Sequence, residues 1–186
     1  MIVYIEGVDG SGKSTFAKAI TTYLQEKGLD VHPKAEKLMV THPWRIDRTA
    51  KDTLLFNLRA CLTSRTVFIV DRGELSDLIY RTFDNDKYKA LMTLKEYMEH
   101  YNYFSHRYIM VHCDSTLSEQ LMLARGEDNQ ISITEHQKLR YLFNQIMPLF
   151  HAHKFDAAKN IANSEYLGLI CQEIYIKLLT RLAVEI

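Results

Sequence analysis

The 186-residue sequence predicts an α/β fold: a three-layer α/β/α sandwich around a five-stranded parallel sheet, one domain over 1–186, with a helical lid at about 117–135. Two observations predict it. Short apolar, β-branched runs, among them Ile2–Ile5, Thr66–Val70 and Tyr108–Cys113, alternate with longer stretches of helical periodicity. That alternation implies parallel strands joined by right-handed crossovers. The first strand also passes directly into a glycine loop and then a helix.

That loop is Gly7-Val8-Asp9-Gly10-Ser11-Gly12-Lys13-Ser14, which matches G-x-x-x-x-G-K-[ST]. Strand, loop and helix in this order are the context that makes the match a P-loop. Gly7, Gly10 and Gly12 let the backbone wrap a phosphate chain, with the amides of Ser11 and Thr15 among those turned inward. The helix N-terminus adds partial positive charge at the same place. Lys13 supplies an ammonium for the outer phosphates, and Ser14 a hydroxyl for Mg²⁺. The ligand implied is a nucleoside triphosphate.

The remaining elements follow in order. The first helix runs to about Lys27, where Gly28 ends it. Asp30–Lys37 holds a second strand that Pro33 confines to an edge or a short length. Thr41–Arg45 is a loop, and Asp47–Thr63 is a helix with Leu54, Leu55, Leu58 and Leu62 on one face. The strand Thr66–Val70 ends in Asp71-Arg72-Gly73. Glu74–Arg81 and Lys87–Phe104 are helical, with Leu91, Leu94, Met98 and Tyr101 in a stripe. After Tyr108–Cys113, the spacing of Thr116 and Glu119 starts a helix, and that of Ser132 and Glu135 starts another reaching about His151. A weak strand lies between Lys154 and Ile161. Asn163-Ser164 then caps the last helix.

Composition narrows the partners. With 47% hydrophobic residues the chain can bury a core, so disorder is excluded. Lys plus Arg and Asp plus Glu both number 23, so no basic face points to nucleic acid. No apolar run reaches membrane-spanning length. Three scattered cysteines read as reduced thiols, and Met1 leads straight into the first strand, so a cytoplasmic setting is expected. His151 and His153 lie two apart without further ligands, and no structural metal is expected.

Ligands of such sheets sit beyond the strand C-termini. That rule gathers the glycine loop, Asp71-Arg72 and the segment after Asp114 around one cleft. Arg45, Arg72 and Arg125 are the arginines placed to meet phosphates, each otherwise a surface ion pair, and Arg59 is evenly balanced between the two. Asp71 either serves Mg²⁺ or its waters, or caps a helix or pairs with Lys13; these roles are compatible. Asp9 would repel phosphates, so it faces another group such as a sugar hydroxyl, or else bonds its own turn. Phe56 and Tyr80 are the aromatics placed for a base and a sugar, whereas Tyr97, Tyr101 and Phe143 read as core. Arg125-Gly126-Glu127-Asp128 is either a hinged lid or a polar turn between helices.

Several of these features together resemble thymidylate kinase and related deoxynucleoside monophosphate kinases. The resemblance rests on Glu6–Thr15, on Asp71-Arg72 with Ser76 and Tyr80 behind it, and more loosely on Pro43-x-Arg45, Leu55-Phe56, Ala124-Arg125-Gly126 and Ala162-Asn163-Ser164. It implies ATP-dependent phosphorylation of a deoxynucleoside 5′-monophosphate, with dTMP as the acceptor and Mg²⁺ as the cofactor. By that resemblance Lys13 and the loop amides hold ATP, Ser14 meets Mg²⁺, and Asn163 lies where the donor adenine is covered. Asp9 approaches the acceptor 3′-hydroxyl, Arg45 and Arg72 grip its phosphate, Phe56 stacks on the base, and Tyr80 crowds the 2′ position. Gly10 stands where some members carry a catalytic arginine, which leaves Arg125, the only arginine between Arg107 and Arg140, to stabilise the transition state. Two departures bear on the base: the chain is shorter between Phe56 and Asp71, and Ala60 with Arg59 beside it replaces an arginine of that helix. Members usually pair as homodimers, for which Tyr97–Phe104 is a candidate surface or, equally, core. The rival readings are a deoxynucleoside kinase acting on a free 5′-hydroxyl and a P-loop nucleotide binder without catalysis.

Overall fold

The computed structural model describes residues 1–34, 66–83, 94–124, 131–163 and 165–183. Among them, five strands form one parallel sheet: β1 (Ile2–Glu6), β2 (Val31–Lys34), β3 (Val67–Asp71), β4 (Tyr108–Asp114) and β5 (His153–Asp156). The order is β2-β3-β1-β4-β5, so the chain's first strand lies at the centre. β1 is buried along its whole length, as a strand covered on both faces must be. β2 lies at an edge, where the missing N–H of Pro33 is tolerated.

Helices cover both faces. Alternate residues of β1 enter two cores. Val3 and Ile5 pack with Phe16, Ile20 and Leu24 of α1 (Lys13–Glu26), while Ile2 and Tyr4 pack with residues of α2 (Glu74–Phe83) and α3 (Leu94–Phe104). The short α4 (Ser118–Ala124) is followed by α5 (Ile133–Ile146), which joins the second core through Leu139 and Phe143. α6 (Ala157–Ala162) and α7 (Tyr166–Ala183) follow β5, and Ile170, Cys171, Ile174 and Leu178 of α7 join the first core. The observed three layers are those read from the alternation of strands and helices.

Differences fall at element ends. The segment expected as a strand from Lys154 to Ile161 stops at Asp156, because that carboxylate accepts from the N–H groups of Ala158 and Lys159 and starts α6 there. α4 begins at Ser118 rather than Thr116; the turn before it is held by Leu117 N–H donating to Ser115 Oγ at 3.1 Å. The Ser132–Glu135 capping box forms as expected, but α5 ends at Ile146 and Pro148 lies in a 3₁₀ turn over Met147–Phe150. Tyr97, Tyr101 and Phe143 are core, with Tyr103 left outward. The helix expected over Asp47–Thr63, the loop Thr41–Arg45 and the break at Asp84–Asp86 lie outside the described residues. Among the described residues no helix is long and apolar enough to cross a membrane.

Phe16 is fully buried, its ring centroid 4.9 Å from that of Phe155, and so ties the helix after the glycine loop to the sheet. Phe16→Ala is expected to cost about 3–5 kcal/mol in denaturant unfolding.

Candidate active site

The C-terminal ends of β1, β3 and β4 meet at one mouth, and the glycine loop spans it. Gly7 begins the loop against the Cys113 carbonyl, and Ser11 N–H donates to the Val8 carbonyl at 3.3 Å to close its turn. Gly10 has φ +73°, and a Cβ built there would stand 2.1 Å from the Ser118 carbonyl oxygen. The loop is therefore seated against the start of α4, and a side chain at Gly10 is shut out by backbone. An arginine is therefore not accommodated at this position of the loop. Gly12 approaches Ala157, so the start of α6 abuts the loop.

Lys13 is 7% exposed and donates to the Val8 carbonyl at 2.6 Å. Burial first, and the nearby Arg72 guanidinium second, bring its pKa down to about 8. Ser14 Oγ donates to Asp71 Oδ2 at 3.0 Å, which joins the two residues expected at the metal. Two hard oxygen donors, one of them a carboxylate, fit Mg²⁺, which completes its shell with water and phosphate oxygens. Among the described residues no group of three or more His, Cys, Asp or Glu could hold a metal by itself. Thr15 is exposed and lines a groove of about 660 Å³ between α1 and α7.

Asp9, Arg72 and Tyr80 form one cluster. Arg72 Nη2 donates to Asp9 Oδ1, Tyr80 hydroxyl donates to Asp9 Oδ2 at 3.3 Å, and the guanidinium carbon lies 5.1 Å from the Tyr80 ring centroid. Arg72 is 17% and Asp9 34% exposed, so this pair is better shielded than a surface bridge. Burial keeps the Tyr80 phenol above its ordinary range and thus a donor. The Asp9 carboxylate thus faces the Arg72 and Tyr80 side chains. Arg72 itself has φ +67°, a conformation unfavourable for a side chain.

Three groups not singled out as site residues from the sequence stand around this cluster. Glu6 is fully buried and accepts from Gly73 N–H at 2.9 Å and from the Ser76 hydroxyl. Its position before Gly7 was the only signal. His136 of α5 is fully buried, and its Nε2 lies 2.8 Å from the Asp9 carbonyl; a carbonyl only accepts, so Nε2 carries the proton. Nothing in local sequence pairs residues 127 positions apart. Asp114, at the end of β4, meets Arg140 Nε at 2.6 Å and Lys154 Nζ at 3.3 Å. Asn163 is a helix-capping residue: its Oδ1 accepts from Glu165 N–H at 3.0 Å, and it stands beyond α6, not against Gly12. Arg45, Phe56, Arg59 and Arg125 lie outside the described residues.

Comparison with protein-family models and with curated proteins gives no match. Among solved structures, the chain is similar to the YorR protein of Bacillus subtilis in complex with phosphorylated GDP, at 14% identity and TM-score 0.58, with 84% of each chain covered. It is also similar to deoxyadenosine kinase from M. mycoides with bound dCTP, at 18% identity and TM-score 0.54, covering 94% of this chain and 99% of that one. The same enzyme with products dCMP and dCDP gives 14% identity and TM-score 0.55 over 94% and 99% of the chains. At these identities the likeness establishes the fold alone, a parallel five-stranded sheet between layers of helices.

Two outcomes are expected. Gly10→Ala should lose about 1–3 kcal/mol of stability through overpacking and φ strain together, read from its unfolding midpoint. ATP binding should draw in a proton through Lys13 at about pH 8, where that group is half-charged, a contribution that vanishes near pH 6, where it is already ammonium. Calorimetry in two buffers of different ionisation enthalpy measures this, and Lys13→Ala should remove it.

Proposed function

We propose that the protein is an ATP-dependent kinase that phosphorylates a deoxynucleoside 5′-monophosphate to the diphosphate, with dTMP as the acceptor. The observation that carries this reading is the pairing of Lys13 with Arg72. Both are largely buried at the same mouth, close enough for Arg72 to depress the Lys13 pKa. Two such cations call for anions beside each of them, and a donor triphosphate with an acceptor monophosphate supplies both.

In this reading the amides of Gly7, Gly10, Ser11, Gly12 and Thr15 and the Lys13 ammonium hold the donor phosphates. Asn163 lies toward its base. Mg²⁺ held by Ser14 and Asp71 would neutralise charge on the β- and γ-phosphates. Arg72, joined by Arg45, holds the acceptor phosphate. Its attacking oxygen is already anionic, so no strong base is needed, and the arginines lower the repulsion between the two phosphates. Asp9 fixes Arg72 and stands toward the acceptor sugar, with Tyr80 against its 2′ position. Phe56 and Arg59 complete the base side. Arg125, in the lid at about 117–135, meets the charge that develops on the transferring group. The whole of 1–186 acts as one unit.

A second reading, a deoxynucleoside kinase, is favoured by the likeness to deoxyadenosine kinase. That chemistry needs a carboxylate free to accept the proton of a 5′-hydroxyl, whereas Asp9 already accepts from Arg72 and Tyr80. ADP release with ATP and Mg²⁺ across dNMPs, NMPs and free deoxynucleosides separates the alternatives. Turnover of dTMP but not thymidine is expected. Turnover of thymidine alone would establish the second reading, and none with any acceptor would leave a nucleotide binder. Arg125→Ala should lower kcat roughly 100-fold or more. An unchanged kcat with weaker acceptor binding would remove Arg125 from the transition state.

A further inference from the structure

We propose that Glu6 is a positioning residue that sets where the Arg72 guanidinium meets the acceptor phosphate. The proposal rests on the kinase reading above.

The geometry is a closed bracket. β1 and β3 are neighbours, with Ile5 opposite Asp71 in register. Arg72 N–H continues that ladder by donating to the Ile5 carbonyl at 3.0 Å. The next residue, Gly73, turns its N–H to Glu6 Oε1 at 2.9 Å, and Ser76, one turn into α2, places its hydroxyl on Glu6 Oε2. One carboxylate thus holds the chain on the far side of Arg72 at two points. Between those points and the strand lies the residue whose φ is +67°. A left-handed arginine persists only where its surroundings over-determine it, and Glu6 is the group that does so.

The space around the bracket is tight. A Cβ placed on Gly73 would lie 2.5 Å from the Tyr4 ring and 2.9 Å from Glu6 Oε1. Gly73 therefore has no room for a side chain between the Tyr4 ring and the carboxylate that accepts from its N–H. Relaxing the bracket lets Gly73 lift and Arg72 leave its left-handed conformation, which swings the guanidinium away from Asp9. The Lys13 bond to the Val8 carbonyl and the Ser11–Val8 turn of the loop involve neither Glu6 nor Arg72. Loss of Glu6 should therefore weaken the acceptor end and spare the donor end.

The charge on Glu6 matters to this role. Ionised, it accepts at both oxygens; protonated, Oε2 becomes a donor, the Ser76 hydroxyl must turn to accept from it, and both bonds lose their charge assistance. Burial pushes its pKa up to about 7, and the neighbouring Glu74 adds to the rise, against the Ser76 and Gly73 bonds and the Arg72 charge. Tyr97 of α3 and Cys113 of β4 also face it, and burial keeps both neutral. His112, opposite Glu6 in the sheet register, has its pKa lowered by burial to about 4 and is uncharged above that. Of Glu6, Tyr97, Cys113 and His112, Glu6 is the one that changes charge near neutrality.

Glutamine reproduces the protonated acid in shape, which supplies the test. Acceptor and ATP KM and kcat are measured for wild type and Glu6→Gln between about pH 5.5 and 8.5, together with dTMP affinity by calorimetry. At high pH the variant should lose about tenfold in kcat/KM for dTMP, the worth of one buried charge-assisted bond, with ATP KM unchanged. Below about pH 6 the two proteins should converge, because wild-type Glu6 has taken up its proton. Ionisation of the substrate phosphate is common to both and cancels in the ratio. A ratio that stays flat with pH, or ATP KM rising as much as acceptor KM, overturns the proposal while leaving the kinase reading intact. Should Glu6→Gln fail to fold, Ser76→Ala keeps the Gly73 bond and should show the same split at a few-fold; an even loss on both substrates overturns the proposal. A wild type that neither binds nor turns over any mononucleotide overturns the kinase reading, and this proposal with it.

Discussion

Two positive charges crowded at the end of a buried sheet govern this molecule. Lys13 and Arg72 belong to different strands' extensions, yet the sheet order places β1 beside β3 and brings them to one mouth. Each is taken from water, and each repels the other. The protein answers with oxygen: Val8 carbonyl for Lys13, and the Asp9 carboxylate for Arg72. These contacts hold the cations without neutralising them both, so the mouth remains attractive to anions.

The layout of the sheet follows from that requirement. The strand carrying the glycine loop must be central, because only there can loop, Asp71-Arg72 and the end of β4 converge. Its alternate residues fill both cores, and the α1 side and the α2–α3 side are thereby fixed relative to the loop. Packing on the two faces is what gives the polar groups at the sheet end their registration.

Much of this was legible in the sequence. The β-branched runs marked the central strands, since a strand covered on both faces reads as a nearly continuous apolar run. The glycine loop and Asp71-Arg72 were legible because each is a local pattern in strand-end context. The Asp9–Arg72–Tyr80 cluster was legible only as separate candidates: their contact spans 63 and 71 positions and is set by strand order. The Glu6 bracket and the His136 bond were hidden for the same reason. The weak strand expected between Lys154 and Ile161 is β5, and only its end was hidden, because Asp156 reads as a polar strand residue until its carboxylate is seen to cap α6. The approach of Ala157 to Gly12 was hidden as well, because nothing about an alanine announces such a contact.

The seating of Gly10 beneath Ser118 and the bond from His136 to Asp9 have a mechanical corollary. Ser118 and His136 bound a stretch of chain whose two feet stand on adjacent residues of the same loop. A displacement of Asp9 or Gly10 is therefore felt at once at the start of α4 and in the first turn of α5.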